Sequence, residues 1–297
     1  MRTTQLGSAA VAASLLLLTA CGSAGGSSST DGGVSVVASM NVYGDIAAAI
    51  GGRDVEVTSI ISDPSADPHS FEASTRTQLA VSDADVVIEN GGGYDDFMKT
   101  LISATDSSAA VITAVDASGK AAAEGNEHVW YDFPTVATLA DEIATALGDA
   151  DPANADTYTA NAAGLKKQVD ELISSEQTTA ATTRGAGVVV TEPVPGYLLD
   201  ALGADDRTPP EFSEAIEEGG DVSPAVLQET LDLLTSGRVR ALVYNEQTTG
   251  RETEQVLEAA RKAGVAVVAV TETLPAGEDY VSWMRANLDA VAAALSS

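Results

Sequence analysis

The sequence predicts an α/β protein made of two α/β lobes with mostly parallel sheets, joined by one long connecting helix. Two observations carry that expectation. Short valine-rich runs bounded by turn residues alternate with amphipathic helical patterns, which is the rhythm of layered α/β folds. One stretch, residues 151–183, breaks the rhythm and contains no strand run. With 297 residues, 44% of them hydrophobic and 20% charged, the chain is long and apolar enough to bury a large core.

In chain order, the runs expected as buried strands are 34–38, Val55–Ile61, 85–89, 110–114, 186–191, 239–244 and 265–271. The clearest helical patterns between them are 93–104, 134–147, Pro224–Thr235, 253–263 and 280–295. Ser223-Pro224 supplies a capping hydroxyl followed by proline at the first helical position. Asp151-Pro152 opens the strand-free stretch, and Leu165, Val169, Leu172 and Ile173 recur in it at helical spacing. A helix of about 30 residues spans about 45 Å. The stretch therefore reads as a rigid connector, with two shorter helices and a bend as the alternative.

The amino terminus reads as an address rather than as part of the fold. Arg2 is followed by an apolar, small-residue run ending in four leucines, too short to be a good membrane span. Residues 22–33 are nine-twelfths Gly or Ser, the composition of a flexible tether that reaches about 20 Å. The expected organisation is a signal peptide over 1–20, a tether over 21–33, an N-terminal α/β lobe over 34–150, a linker helix over 151–183 and a C-terminal α/β lobe over 184–297.

Charge narrows the partners. Fifteen Lys and Arg stand against 44 Asp and Glu, a formal net charge of −29. Nucleic-acid binding through a phosphate-neutralising face is excluded, and cations or basic surfaces are favoured. Cys21 is the only cysteine, so neither an intrachain disulfide nor a thiolate metal cluster is available. No phosphate loop, His-Glu-x-x-His helix or Gly-x-Ser-x-Gly elbow is present, and Gly91-Gly92-Gly93 does not complete a dinucleotide fingerprint.

The chain has two histidines. His69 stands in Asp67-Pro68-His69-Ser70-Phe71-Glu72, and His128 in Glu127-His128-Val129-Trp130-Tyr131-Asp132. Each follows an expected strand, where open α/β sheets bind ligands. In the second half Glu192 and Glu272 directly follow expected strands, and Glu246 competes with them. Together these side chains suggest a cation site with two imidazoles and two carboxylates, shared between the lobes. Two adjacent carboxylates repel, and a bound dication removes that penalty.

These stretches resemble the motifs of the cluster A-I metal-binding proteins, the substrate-binding lipoproteins of zinc and manganese ABC importers. Asp67-Pro68-His69-Ser70-Phe71-Glu72 looks like their first ligand motif, and His128-Val129-Trp130-Tyr131-Asp132 matches their His-x-Trp-x-Asp. Glu192-Pro193-x-x-Gly196-Tyr197 resembles the third motif, and Thr271-Glu272-Thr273-Leu274-Pro275 stands where the fourth ligand lies. Tyr244-Asn245-Glu246-Gln247 resembles the family's Asn-x-Gln turn, which is not usually a ligand. Leu18-Thr19-Ala20-Cys21-Gly22 resembles a lipobox, with Cys21 as the lipidated residue.

The resemblance implies a non-enzymatic, extracytoplasmic protein anchored to the bacterial cell membrane through lipid on Cys21. It implies one metal ion in the cleft, held by His69 and His128 from the first lobe and Glu192 and Glu272 from the second. It further implies delivery of that ion to a membrane permease, and a monomer is expected. The chain lacks the third histidine and the histidine-rich loop of zinc-type members, and carries Glu272 where many have aspartate. Two imidazoles and two carboxylates lean toward Mn2+ by ligand hardness, with Zn2+ next. A surface adhesin of the same fold is an alternative. So is a secreted metalloenzyme, although four protein ligands leave no open position for a catalytic water.

Overall fold

The computed structural model describes residues 33–63, 71, 73–105, 107–120 and 126–296. The expected signal peptide and all of the expected tether except Gly33 lie outside these residues. The first lobe runs β1 (Val34–Met40), α1 (Asn41–Gly51), β2 (Val55–Ile61), α2 (Thr75–Ser82), β3 (Val86–Glu89), α3 (Asp96–Ser103), β4 (Ala110–Thr113), α4 (Ala114–Ala117) and α5 (Phe133–Ala150). After α6 (Ala155–Thr183), the second lobe runs β5 (Gly187–Val190), α7 (Gly196–Ala201), β6 (Asp205–Asp206), α8 (Pro210–Glu217) and α9 (Pro224–Thr235). It closes with β7 (Ala241–Asn245), α10 (Arg251–Ala263), β8 (Ala266–Val270) and α11 (Tyr280–Ser296).

Each lobe carries one all-parallel, four-stranded sheet. The strand orders are β2-β1-β3-β4 and β6-β5-β7-β8, the same topology twice. The central strands β3 and β5 are buried at every residue, whereas the edge strand β2 alternates along most of its length. This is what burial under helices on both faces demands of central parallel strands. In both sheets the chain order reverses between the first and third strands, β1/β3 and β5/β7, which opens a crevice at their carboxyl ends.

From Ala155 to Thr183 the strand-free stretch is one unbroken helix, starting four residues after the expected Asp151 because residues 151–154 form a turn. Along α6 the buried residues are Tyr158, Ala162, Leu165, Val169, Leu172, Glu176, Ala180 and Thr183, a single stripe stepping by three and four. At about 1.5 Å per residue the helix is about 43 Å long. Its first turns lie beside the end of α1, where Asn161 donates to the Ile50 carbonyl. Its last turn leads straight into the start of β5, where the Ala186 N–H donates to the Thr183 carbonyl. Helix α6 therefore runs from the amino edge of one sheet to the amino edge of the other. The carboxyl edges of both sheets face the middle of the molecule.

Several features of the fold are not among the sequence patterns above, the short helices α2, α7 and α8 included. Strand β6 is only Asp205-Asp206, both exposed, and hydrophobic periodicity has nothing to register there. Helix α1 follows β1 without a loop or a side-chain cap, so its apolar residues merge with the strand run. The Gly91-Gly92-Gly93 run makes the tight turn after β3. All three adopt positive φ, and a Cβ on Gly91 would sit 2.5 Å from the Thr113 side chain.

Candidate metal centre

Three of the four sequence-predicted ligands come together where the carboxyl edges meet. Glu192 lies just beyond β5, Glu272 just beyond β8, and His128 on the loop that reaches α5. His128 is fully buried, Glu192 is 3% exposed and Glu272 9%. His69, like Cys21, lies outside the described residues. Glu246 is exposed, and its backbone N–H donates to the Val270 carbonyl.

The imidazole is oriented by its own loop. Asn126 Oδ1 accepts from both the His128 backbone N–H, at 3.0 Å, and Nδ1, at 2.8 Å. The amide orientation is set by Asn126 Nδ2, which donates to the Pro193 carbonyl of the other lobe at 2.9 Å. An amide oxygen only accepts, so the proton sits on Nδ1 and the Nε2 lone pair faces the cleft. Tyr197 Oη also donates to the Asn126 carbonyl, at 2.7 Å. Gly196 leaves room for the Asn126 side chain, since a Cβ there would approach Asn126 Nδ2 to 2.5 Å. The glycine and tyrosine of the Glu192-Pro193-x-x-Gly196-Tyr197 stretch thus hold the loop that aims His128.

One amide spans the two carboxylates. Asn245 Nδ2 donates to Glu192 Oε2 at 2.5 Å and to Glu272 Oε1 at 2.6 Å. Its Oδ1 accepts the Gln247 N–H at 3.0 Å, which fixes which end of the amide faces the carboxylates. Gln247 Oε1 in turn accepts the backbone N–H groups of Glu272 and Thr273. The Asn-x-Gln turn is therefore a clasp around the Glu272 backbone and a bridge between two acids.

The other oxygen of Glu272 accepts from Tyr94 Oη at 2.6 Å. Burial first, and then the Glu272 charge, hold the Tyr94 phenol well above its ordinary range, so it remains a donor at neutral pH. Tyr94, His128 and Trp130 pack edge to face, with ring centroids 5.0–5.6 Å apart. These rings form a dry wall in which charges interact strongly.

His128 Nε2 faces two acids, Glu217 Oε1 at 3.5 Å and Glu272 Oε2 at 3.9 Å. Glu127, His128 and Glu217 present ligand atoms within 4.8 Å of one another. Burial, and then the charges of Glu127, Glu192, Glu272 and Glu218, push Glu217 up to about 9. Carboxylate oxygens and an imidazole lone pair gathered in one dry pocket repel each other unless a cation or protons lie between them. Imidazole and carboxylate together suit a divalent transition metal.

A family model described as the zinc-uptake complex component A, periplasmic (ZnuA), matches residues 36–294. The chain belongs to this family. It is a family of substrate-binding proteins and not of enzymes, in agreement with the sequence expectation. The manganese-binding lipoprotein MntA of Halalkalibacterium halodurans is 27% identical over 275 residues, covering 89% of each chain. The MntA of Bacillus subtilis is 28% identical over 241 residues, covering 78% of this chain and 77% of its own. Among solved structures, the periplasmic zinc-binding protein TroA of Treponema pallidum superposes with a TM-score of 0.75 at 20% identity. That match covers 90% of this chain and 100% of TroA. The Mn2+ complex of the substrate-binding protein FpvC from Pseudomonas aeruginosa gives 0.73 at 25% identity, covering 89% and 98%. The two-lobed fold expected from the sequence is the fold of these proteins.

Sequence reasoning missed Glu217, Tyr94 and the bridging role of Asn245. Glu217 lies at the end of α8, in Glu214-Ala215-Ile216-Glu217-Glu218, and nothing in that acidic run singles it out. Tyr94 follows three glycines and carries no motif. Asn245 was available as part of the Asn-x-Gln turn, but its reach to two acids depends on the spacing of β5, β7 and β8 in the sheet.

Proposed function

We propose that this protein captures one divalent transition-metal ion between its lobes and hands it to the permease of an ABC importer. The observation that carries this reading is the convergence of His128, Glu192 and Glu272, from both lobes, on one buried pocket. Their ligand types fit a dication, and His69, from the first lobe, completes the set that the family motifs imply. Mn2+ is favoured over Zn2+ by the carboxylate content, and both named MntA relatives are manganese-binding lipoproteins. A lipid on Cys21 and a Gly/Ser tether hold the protein outside the cytoplasm, beside the permease. Among the described residues no helix is long and apolar enough to cross a membrane.

The test is metal content by mass spectrometry, followed by competition titrations with Mn2+ and Zn2+. One equivalent of metal is expected, with a loss of affinity of orders of magnitude in His128→Ala and in His69→Ala. Undiminished affinity in either variant removes that residue from the ligand set. A protein that takes up no metal overturns the reading.

A further inference from the structure

Glu217 is a carboxylate that the four-ligand motif set does not contain. Its side chain is 12% exposed, and its Oε1 is nearer to His128 Nε2 than either oxygen of Glu272, at 3.5 Å against 3.9 Å for the closer one. It is the last residue of α8, whose apolar side is fixed by Phe212 and Ile216 in the second lobe's own core. The helix therefore delivers the acid to this position as part of the fold. Local electrostatics oppose it there, because a carboxylate at a helix carboxyl terminus meets the negative end of the helix dipole. Its neighbours Glu127, Glu192, Glu272 and Glu218 are acids too. An acid kept mostly out of solvent against its own helix dipole, among other acids, and pointed at an imidazole lone pair is placed to meet a cation.

We propose that Glu217 is a further ligand of the cleft ion and biases the site toward Mn2+ over Zn2+. This rests on the metal-capture reading above. The argument for selectivity is one of hardness and coordination number. Each added carboxylate makes the donor set harder and raises the number of ligands on offer. Zn2+ settles into four-coordinate sites with nitrogen, sulfur or few oxygen ligands, whereas Mn2+ accepts more oxygen donors. The competing explanation is a structural one, a partly buried protonated acid that packs α8 against the His128 loop.

Glu217→Gln separates the two. Glutamine keeps the size of the protonated acid and its capacity to donate a hydrogen bond, but it cannot supply an anionic ligand. The full chain, purified in detergent and stripped with chelator, is titrated with Mn2+ and Zn2+ in competition with chromophoric chelators. Mn2+ coordination is counted by X-ray absorption. In Glu217→Gln the affinity for Mn2+ is expected to fall at least about tenfold, with Zn2+ changing by less than about threefold. The Mn2+ shell is expected to lose oxygen. Unchanged binding of both metals with an unchanged Mn2+ shell overturns the proposal, as does an equal loss for both. If the glutamine variant does not fold, Glu217→Asp, which withdraws the carboxylate by one methylene, is expected to shift selectivity in the same direction, and no shift there overturns the proposal. Wild-type protein that binds no metal overturns the metal-capture reading itself. Wild-type protein that binds one ion beside an indistinguishable Glu217→Gln overturns only the role of Glu217.

Discussion

At the scale of single residues, the site depends as much on its amides as on its acids. Asn245 holds Glu192 and Glu272 with one NH2 group, and Asn126 fixes the tautomer of His128. Groups that orient ligands without touching the metal typically contribute about 10- to 100-fold in affinity. Asn245→Ala is accordingly expected to weaken Mn2+ binding by about that factor, while leaving the number of bound ions at one. Glu246→Ala, next to it but exposed, is expected to leave affinity unchanged. Equilibrium competition titrations on both variants make the comparison. A large loss in Glu246→Ala together with none in Asn245→Ala would mean that the clasp is organised around the wrong residue. The sequence showed Glu192 and Glu272 because each directly follows a valine-rich run. It left Glu246 in competition with them, and did not show that Glu246 faces outward while its neighbour Asn245 faces inward. That choice is set by the register of β7 against β5 and β8, a tertiary fact.

At the scale of elements, most of the fold was legible wherever an element buries a continuous apolar face. The strand runs around β1, β3, β5 and β7 were visible because central parallel strands are covered on both sides. Helix α6 was visible because one stripe along it is apolar. Strand β6 and the loop-free start of α1 were not visible, because their existence depends on neighbours rather than on pattern. Within the α6 stripe one residue is out of character. Glu176 is buried, and burial first and the charge of Asp132 second push its carboxyl up to about 8. In the unfolded chain the same group titrates near 4.5. The folded state thus holds a proton that the unfolded state has lost between about pH 4.5 and 8. The corresponding stability is fully present below pH 4.5 and is lost as pH rises through 8. Glu176→Gln mimics the protonated acid at every pH. It is expected to match wild type in thermal unfolding at pH 5, and to exceed it at pH 9 by an amount on the order of a few kcal/mol. Equal melting temperatures at pH 9 would show that the carboxyl ionises in place at little cost.

At the scale of the whole molecule, the two lobes are distinct in topology but share their largest apolar core, beside a smaller cluster within each lobe. One apolar core runs from Val36 and Ile88 in the first sheet, through Leu139 of α5 and Val169 of α6, to Val188 and Val243 in the second sheet. Hydrogen bonds cross between the lobes around it. Asn41 exchanges two with the Leu274 backbone, Tyr131 Oη donates to the Thr271 carbonyl, and Tyr280 Oη donates to the Trp130 carbonyl. The Tyr280 N–H reaches Asp45 at 2.8 Å. A shared core and a helix common to both lobes make independent unfolding costly, because either lobe would expose the face that the other covers. Calorimetry of the metal-free protein should therefore show a single transition. The proposed metal ties both lobes at the same place, so it should move that whole transition upward. At a free Mn2+ concentration of about 100 times Kd, the added stability should be about 2.7 kcal/mol, provided the unfolded chain does not bind the ion. Two resolved transitions, only one of them shifted by Mn2+, would mean that the ligands belong to one lobe and that the cleft is not where the ion is held.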